Sequence, residues 1–213
     1  MRTNINQKVS EKTLELNVGA EILEYFRKKL NYEKAFLRGL TQKEESIEGV
    51  DIFVHIEPNS DFFIIAFQFK APFRNEKENR NTPYPYKFRI NRKQHEKLHR
   101  LAEDYPNSVF YVFPYYSAHK KLYDSLPNLL ADTWFLKVED LSLNMLGDQK
   151  SKIIRCFGDR AKINPEIKLF KIDQIKLEGI PVAKFSGLFK ENYLEPKEKN
   201  PWLLRGFKIM IFK

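Results

Sequence analysis

The chain has 213 residues, 42% hydrophobic and 31% charged, which is enough apolar material for one sizeable core and excludes a disordered polymer. Lys and Arg number 37 against 28 Asp and Glu, and the resulting +9 charge suits a polyanionic partner such as nucleic acid. The single cysteine, Cys156, excludes an internal disulfide; no apolar run approaches a membrane span, and the polar start MRTNINQKVS is no signal peptide, so a soluble cytoplasmic protein is expected.

In chain order, residues 13–30 set Leu16, Ala20, Leu23, Phe26 and Leu30 on one stripe of a first helix. AFLRGL reads as a first strand and TQKEESIEG as a polar loop. GVDIFVHI and FFIIAFQFK then form two strands around the turn cluster EPNSD, a β-hairpin signal. A hairpin centred near Asn59 puts Asp51 almost opposite Gln68, and Lys70, two residues on, shares the face of Gln68. Three polar groups at one end of an apolar hairpin cost stability unless they act.

Residues 72–93 form a long, proline-interrupted connection. From Arg74 to Lys93 it holds seven Lys or Arg against two Glu, interleaved with Tyr84, Tyr86 and Phe88. Arg74, Arg80, Lys87, Arg89 and Arg92 are the candidate phosphate contacts, with Tyr84 or Tyr86 to stack on a base. A helix over 91–104 turns Leu98, Leu101 and Ala102 inward; VFYVFP is a buried strand, 118–130 a helix and TWFLKV a further strand. The order indicates an α/β protein, a central mixed sheet flanked by helices. Beyond residue 145, IKLFKI, IPVAKF and RGFKIMIF look like strands without assignable partners, so 1–145 is taken as the core. Residues 146–213 are then a β-containing C-terminal extension packed on the same domain.

Phosphodiester hydrolysis needs an activated water and neutralisation of charge on the phosphate oxygens, which a carboxylate-held Mg²⁺ and a nearby lysine supply. Asp51, Gln68 and Lys70 are those parts. With the helix segment ELN at Glu15–Asn17 and KEESIEGVD ending at Asp51, they resemble the PD-(D/E)XK nucleases in the D…QxK form of Mrr-like restriction enzymes. The resemblance runs over roughly residues 13–140. It implies a restriction-endonuclease-like core and a DNA endonuclease using Mg²⁺ or Mn²⁺, in restriction or phage defence. It also implies Asp51 and Gln68 as metal ligands and Lys70 as the catalytic lysine. A helix glutamate would complete the metal site: Glu15 first, Glu21 second, Glu24 third, with Glu45 as a substitute. Cutting both strands favours a homodimer. Gln68 departs from the commoner carboxylate and brings no charge to a cation, which leaves room for a non-catalytic nucleic-acid-binding protein of the same fold.

A second motif competes. HEKLH at 95–99 matches the zinc-peptidase pattern, with His95 and His99 as ligands, Glu96 as base and His119 as a third ligand. Lys93, Lys97 and Arg100 oppose a dication there. Gln94 or His95 reaching the nuclease site or a phosphate, as in similar nucleases, is the other reading. His55 and Cys156 are read as core or surface residues rather than ligands, and Trp134 and Trp202 as packing.

Overall fold

The computed structural model describes residues 8–32, 34–56, 63–73 and 86–181. Residues 181–213 form a small unit of their own and 1–180 the larger one, which holds all the described residues but Pro181. Its elements are α1 (Glu11–Lys28), β1 (Phe36–Gly39), α2 (Gln42–Glu48), β2 (Ile52–Ile56), β3 (Phe63–Phe69), β4 (Tyr86–Asn91), α3 (Arg92–Asp104) and β5 (Val109–Pro114). There follow α4 (His119–Asp124), β6 (Thr133–Lys137), α5 (Leu143–Leu146), β7 (Ser151–Phe157), β8 (Arg160–Lys162), β9 (Ile167–Lys168) and the two-residue β10 (Ile180–Pro181).

The main sheet is mixed, in the order β1-β2-β3-β5-β6. β1, β2 and β3 form an antiparallel meander, β5 is parallel to β3, and β6 is antiparallel to β5. The parallel pair requires a crossover, which α3 supplies. β2 is buried along its whole length and β3 at every position but the first, as strands covered on both faces must be. One face meets α1, whose Leu14, Val18, Ile22 and Phe26 join Ile52, Val54, Ile65, Phe67, Phe110 and Val112 in one cluster. The other face carries Tyr111, whose hydroxyl meets His95 of α3. A second, antiparallel sheet runs β4-β7-β8-β9, and Phe88 sets its inner face against Phe113 of β5, ring centroids 4.6 Å apart. No helix among the described residues is long and apolar enough to cross a membrane.

Several expectations change. The buried stripe of α1 is 14-18-22-26; Leu16 is 56% exposed and Ala20 is exposed, because Glu15 and Gly19 belong to the inner face. TQKEESIEG is a helix, not a loop: Thr41 and Glu44 form a reciprocal capping box and Gly49, at φ 77°, closes it. Residues 86–91 of the supposed connection are β4, while 74–85 lie outside the described residues. The helix expected over 118–130 is one six-residue turn at 119–124 followed by a 3₁₀ segment over Leu129–Asp132. IKLFKI contributes the short β9 and a bridge from Phe170 to Phe135 of β6, and RGFKIMIF lies outside the described residues. β4 finds its partner in β7, a strand the sequence reading passed over.

Candidate active site

The hairpin register extends one step beyond β2. Ile52 faces Phe67, and the Asp51 N–H donates to the Phe67 carbonyl at 3.1 Å, which sets Asp51 beside Gln68. The side chains are in contact: Gln68 Nε2 donates to Asp51 Oδ2 at 2.6 Å, and the Phe69 N–H donates to the same oxygen at 2.7 Å. Asp51, Gln68 and Lys70 are all buried. Asp51 has its carboxyl pushed up to about 7: burial dominates, Lys70 opposes it, and Glu11 and Glu15 add repulsion.

Two carboxylates one turn apart at the start of α1 face this end of the sheet. Glu15, the favoured helix glutamate, is 5% exposed and paired with Lys12 at 2.6 Å; burial raises its pKa, and Lys12 counters. Glu11 was not foreseen. Its Oε1 lies 3.5 Å from Lys70 Nζ, and its Oε2 accepts the Ala71 N–H at 2.9 Å. The signal for it was Ser10, whose hydroxyl accepts the Thr13 N–H and starts the helix one residue before Glu11. Glu21 is engaged elsewhere, accepting the N–H groups of Leu129 and Leu130, and Glu24 pairs with Lys28 on the surface. Glu45 reaches the cluster through Lys12, 4.0 Å away.

From the other side α3 supplies Gln94. Its amide donates to Gln68 Oε1 at 2.8 Å and to the Gly49 carbonyl at 3.2 Å. Both amide hydrogens are thus used, which fixes the Gln68 amide with its oxygen toward α3 and its N–H toward Asp51. On the outer side of Gln94 lies a pocket of about 300 Å³, between Glu45, Ser46 and Gly49 on one wall and Asn91, Lys93, Gln94 and Lys97 on the other; Asp51, Gln68 and Lys70 do not line it.

No family model matches the chain, and no curated protein does. A solved structure of a nuclease from a fusselovirus aligns with 90% of this chain and 97% of its own, at 14% identity and a TM-score of 0.37. So low a score does not establish a common fold. The site's own geometry has to carry the functional reading.

The zinc motif does not assemble. Both ring nitrogens of His95 have protein partners, Tyr111 Oη at 3.0 Å and the Leu141 carbonyl at 2.7 Å, and burial lowers its pKa to about 4. His99 pairs with Glu103, and Glu96 with Arg92. Among the described residues no group of three or more His, Cys, Asp or Glu side chains is placed to hold a metal ion. Of the candidate DNA contacts, Lys87 is buried on β4, Arg89 is exposed with its guanidinium 5.6 Å from the Phe73 ring, and Arg92 pairs with Glu96 and Asp148. Arg74 and Arg80 lie outside the described residues.

Proposed function

We propose that the chain is a nuclease that hydrolyses phosphodiester bonds in DNA with a divalent cation, on a restriction-endonuclease-like core of the PD-(D/E)XK kind. The observation that carries the reading is the 2.6 Å contact between Asp51 and Gln68 on register-paired strands, with Lys70 two residues on and Glu11 beside it. The element order supports it: a helix, a three-stranded meander, a crossover helix and a strand parallel to the third.

The donor types suit a hard cation, although among the described residues no three carboxylates are placed together as ligands. Asp51 is a carboxylate whose pKa burial raises to about 7, with Glu11 and Glu15 near it, each beside a lysine, so a dication would favour its charged form. Asp51 and the Gln68 amide oxygen would hold Mg²⁺ or Mn²⁺, with Glu11 or Glu15 as the helix carboxylate. When bound, the ion neutralises phosphate charge and acidifies a water. Lys70, beside Glu11, would supply a cation to donate Nζ–H to a water or a phosphate oxygen. Restriction or phage defence, and a homodimer to cut both strands, are parts of the same proposal.

A second reading, a nucleic-acid-binding protein that has lost catalysis, is favoured by one observation. Gln94 holds the Gln68 amide with its N–H toward Asp51, the wrong end for a cation. Metal binding therefore requires that amide to turn and Gln94 to let go. Incubation of supercoiled plasmid with protein and Mg²⁺ or Mn²⁺ decides between them. The nuclease reading expects nicking that EDTA, Asp51→Ala and Lys70→Ala each abolish. Binding without nicking selects the second reading, and nicking indifferent to both substitutions puts the chemistry elsewhere.

A further inference from the structure

The second sheet has two unlike faces. Its inner face is Phe88, Ile90, Ile154, Cys156, Ala161 and Ile167, all buried. Its outer face follows from the register. Lys87 sits opposite Arg155 and Arg155 opposite Lys162; Arg89 sits opposite Ile153; Phe157 sits opposite Arg160 and Arg160 opposite Lys168. Directly opposed residues share a face. Five exposed cations therefore stand on one side of four strands: Arg89, Arg155, Arg160, Lys162 and Lys168. Lys87 is on this face too but is buried.

Like charges opposed across strands destabilise a sheet, and ordinary protein surfaces intersperse the two signs. Here Arg155 and Lys162 are direct neighbours, as are Arg160 and Lys168. The carboxylates in reach, Asp159 and Glu166, both attend Arg160 at the outer turn. No ion pair joins Arg89, Arg155, Lys162 or Lys168 to a carboxylate among the described residues. One end of the face leads toward the candidate active site through α3. β4 ends at Asn91, which caps α3 and lines the pocket beside Gln94, itself bonded to Gln68.

We propose that the outer face of the β4-β7-β8-β9 sheet is a docking surface for the sugar–phosphate backbone of duplex DNA next to the candidate active site. The proposal rests on the chain acting on DNA, and it assigns β7–β9 a role in holding the substrate. A sheet four strands wide spans about 15 Å, against one phosphate per about 1.7 Å of duplex axis, so several phosphates fall within its reach. A single-stranded partner would call for rings on which bases stack. Among the described residues the aromatic rings of this face are Phe157, 37% exposed, and the half-buried Phe73, bridged to Lys87; each already has a cation over it, Lys162 Nζ 4.9 Å from the first and the Arg89 guanidinium 5.6 Å from the second. The contacts would be to backbone and carry no base sequence.

The test is the anisotropy of a short labelled duplex in EDTA, where no cleavage occurs, across about 50 to 200 mM salt. Arg155→Gln/Lys162→Gln is compared with Lys28→Gln/Lys29→Gln, which removes the same charge at the far end of α1. The first pair should weaken duplex binding roughly tenfold or more at about 0.1 M salt and make the salt slope shallower by about two. Arg155→Lys/Lys162→Arg, which keeps the charge, should restore both. Affinity and slope equal to those of the control pair overturn the proposal, as does a loss confined to single-stranded DNA. The two readings fail separately. If the wild type never nicks plasmid but the face variant still loses binding, the docking surface stands and the nuclease falls; unchanged binding with intact nicking gives the reverse.

Discussion

Glu11 and Lys70, 59 positions apart in sequence, meet at 3.5 Å and tie the first turn of α1 to the end of β3. The same carboxylate satisfies the Ala71 N–H, so it serves a charge and a backbone donor together. Glu11→Ala removes both and leaves Lys70, whose side chain is 9% exposed, short of a carboxylate. Because Glu11 itself is 44% exposed, solvent screens part of the loss, and about 1–2 kcal/mol is expected. Glu11→Gln keeps an acceptor for Ala71 and should lose less. Urea unfolding of the two variants measures the difference; equal losses would mean that the Ala71 bond contributes nothing.

Asp51 makes stability depend on pH with a defined sign. Its carboxyl is raised from an ordinary 3.8 to about 7, so over that interval the unfolded chain has released a proton that the folded chain still holds. The Asp51 contribution is therefore greatest below about pH 4, falls as pH rises, and levels off above about pH 7, a change of roughly 4 kcal/mol as an upper figure; the buried His55 and His95, lowered to about 3 and about 4, act in the opposite sense. Asp51→Asn removes the penalty. It should match the wild type near pH 4 and exceed it at pH 8 in thermal melts, while Mg²⁺ raises the melting temperature of the wild type alone. A variant that is less stable than the wild type at pH 8 would contradict the burial argument.

The hairpin was legible because a turn cluster bounded by two strand-like runs fixes its register: centring it near Asn59 pairs Asp51 with Gln68, and the structure has that pairing. The crossover helix and β5 were legible for similar reasons. The stripe of α1 was not. Apolar residues occur on more than one side of that helix, and a stripe drawn through apolar residues alone leaves out Glu15 and Gly19, which are buried. Reading TQKEESIEG as polar overlooked the Thr41–Glu44 capping box. β7 hid because its alternation is masked: Ile153 and Phe157 lie on the exposed side among arginine and lysine, and its partner β4 is far off in sequence. Gln94 was visible as a polar residue near the site, but its grip on Gln68 is a tertiary fact.

Gln68→Glu tests what the amide does. A carboxylate in place of a group 2.6 Å from Asp51 puts two like charges together in a buried site, so one of the pair must hold a proton. The metal-free variant should lose stability as pH rises, more steeply than the wild type. The added charge favours a hard cation, and Mg²⁺ should bind about an order of magnitude more tightly. Gln94 can still donate to the new carboxylate. Melting temperature against Mg²⁺ concentration gives both quantities, and an unchanged Mg²⁺ dependence would place the cation away from residue 68.

Gly49 links stability to the site through Gln94. Its φ of 77° is left-handed, and a Cβ there would come within 3.3 Å of the Gln94 carbonyl and 3.5 Å of its Cγ. Gly49 also offers its own carbonyl to the Gln94 amide at 3.2 Å. Gly49→Ala incurs the left-handed strain, about 1–2 kcal/mol, and presses on the residue that holds Gln68. Gly49→Asn tolerates the conformation better but has the same Cβ. Strain alone predicts that Asn recovers most of the stability lost with Ala. Pressure on Gln94 predicts that both variants change the Mg²⁺ concentration needed for plasmid nicking, in the same direction and by a similar factor. If that concentration follows stability across the two variants instead, Gly49 acts only as the end of α2, and the Gln94 contact does not reach the proposed cation site.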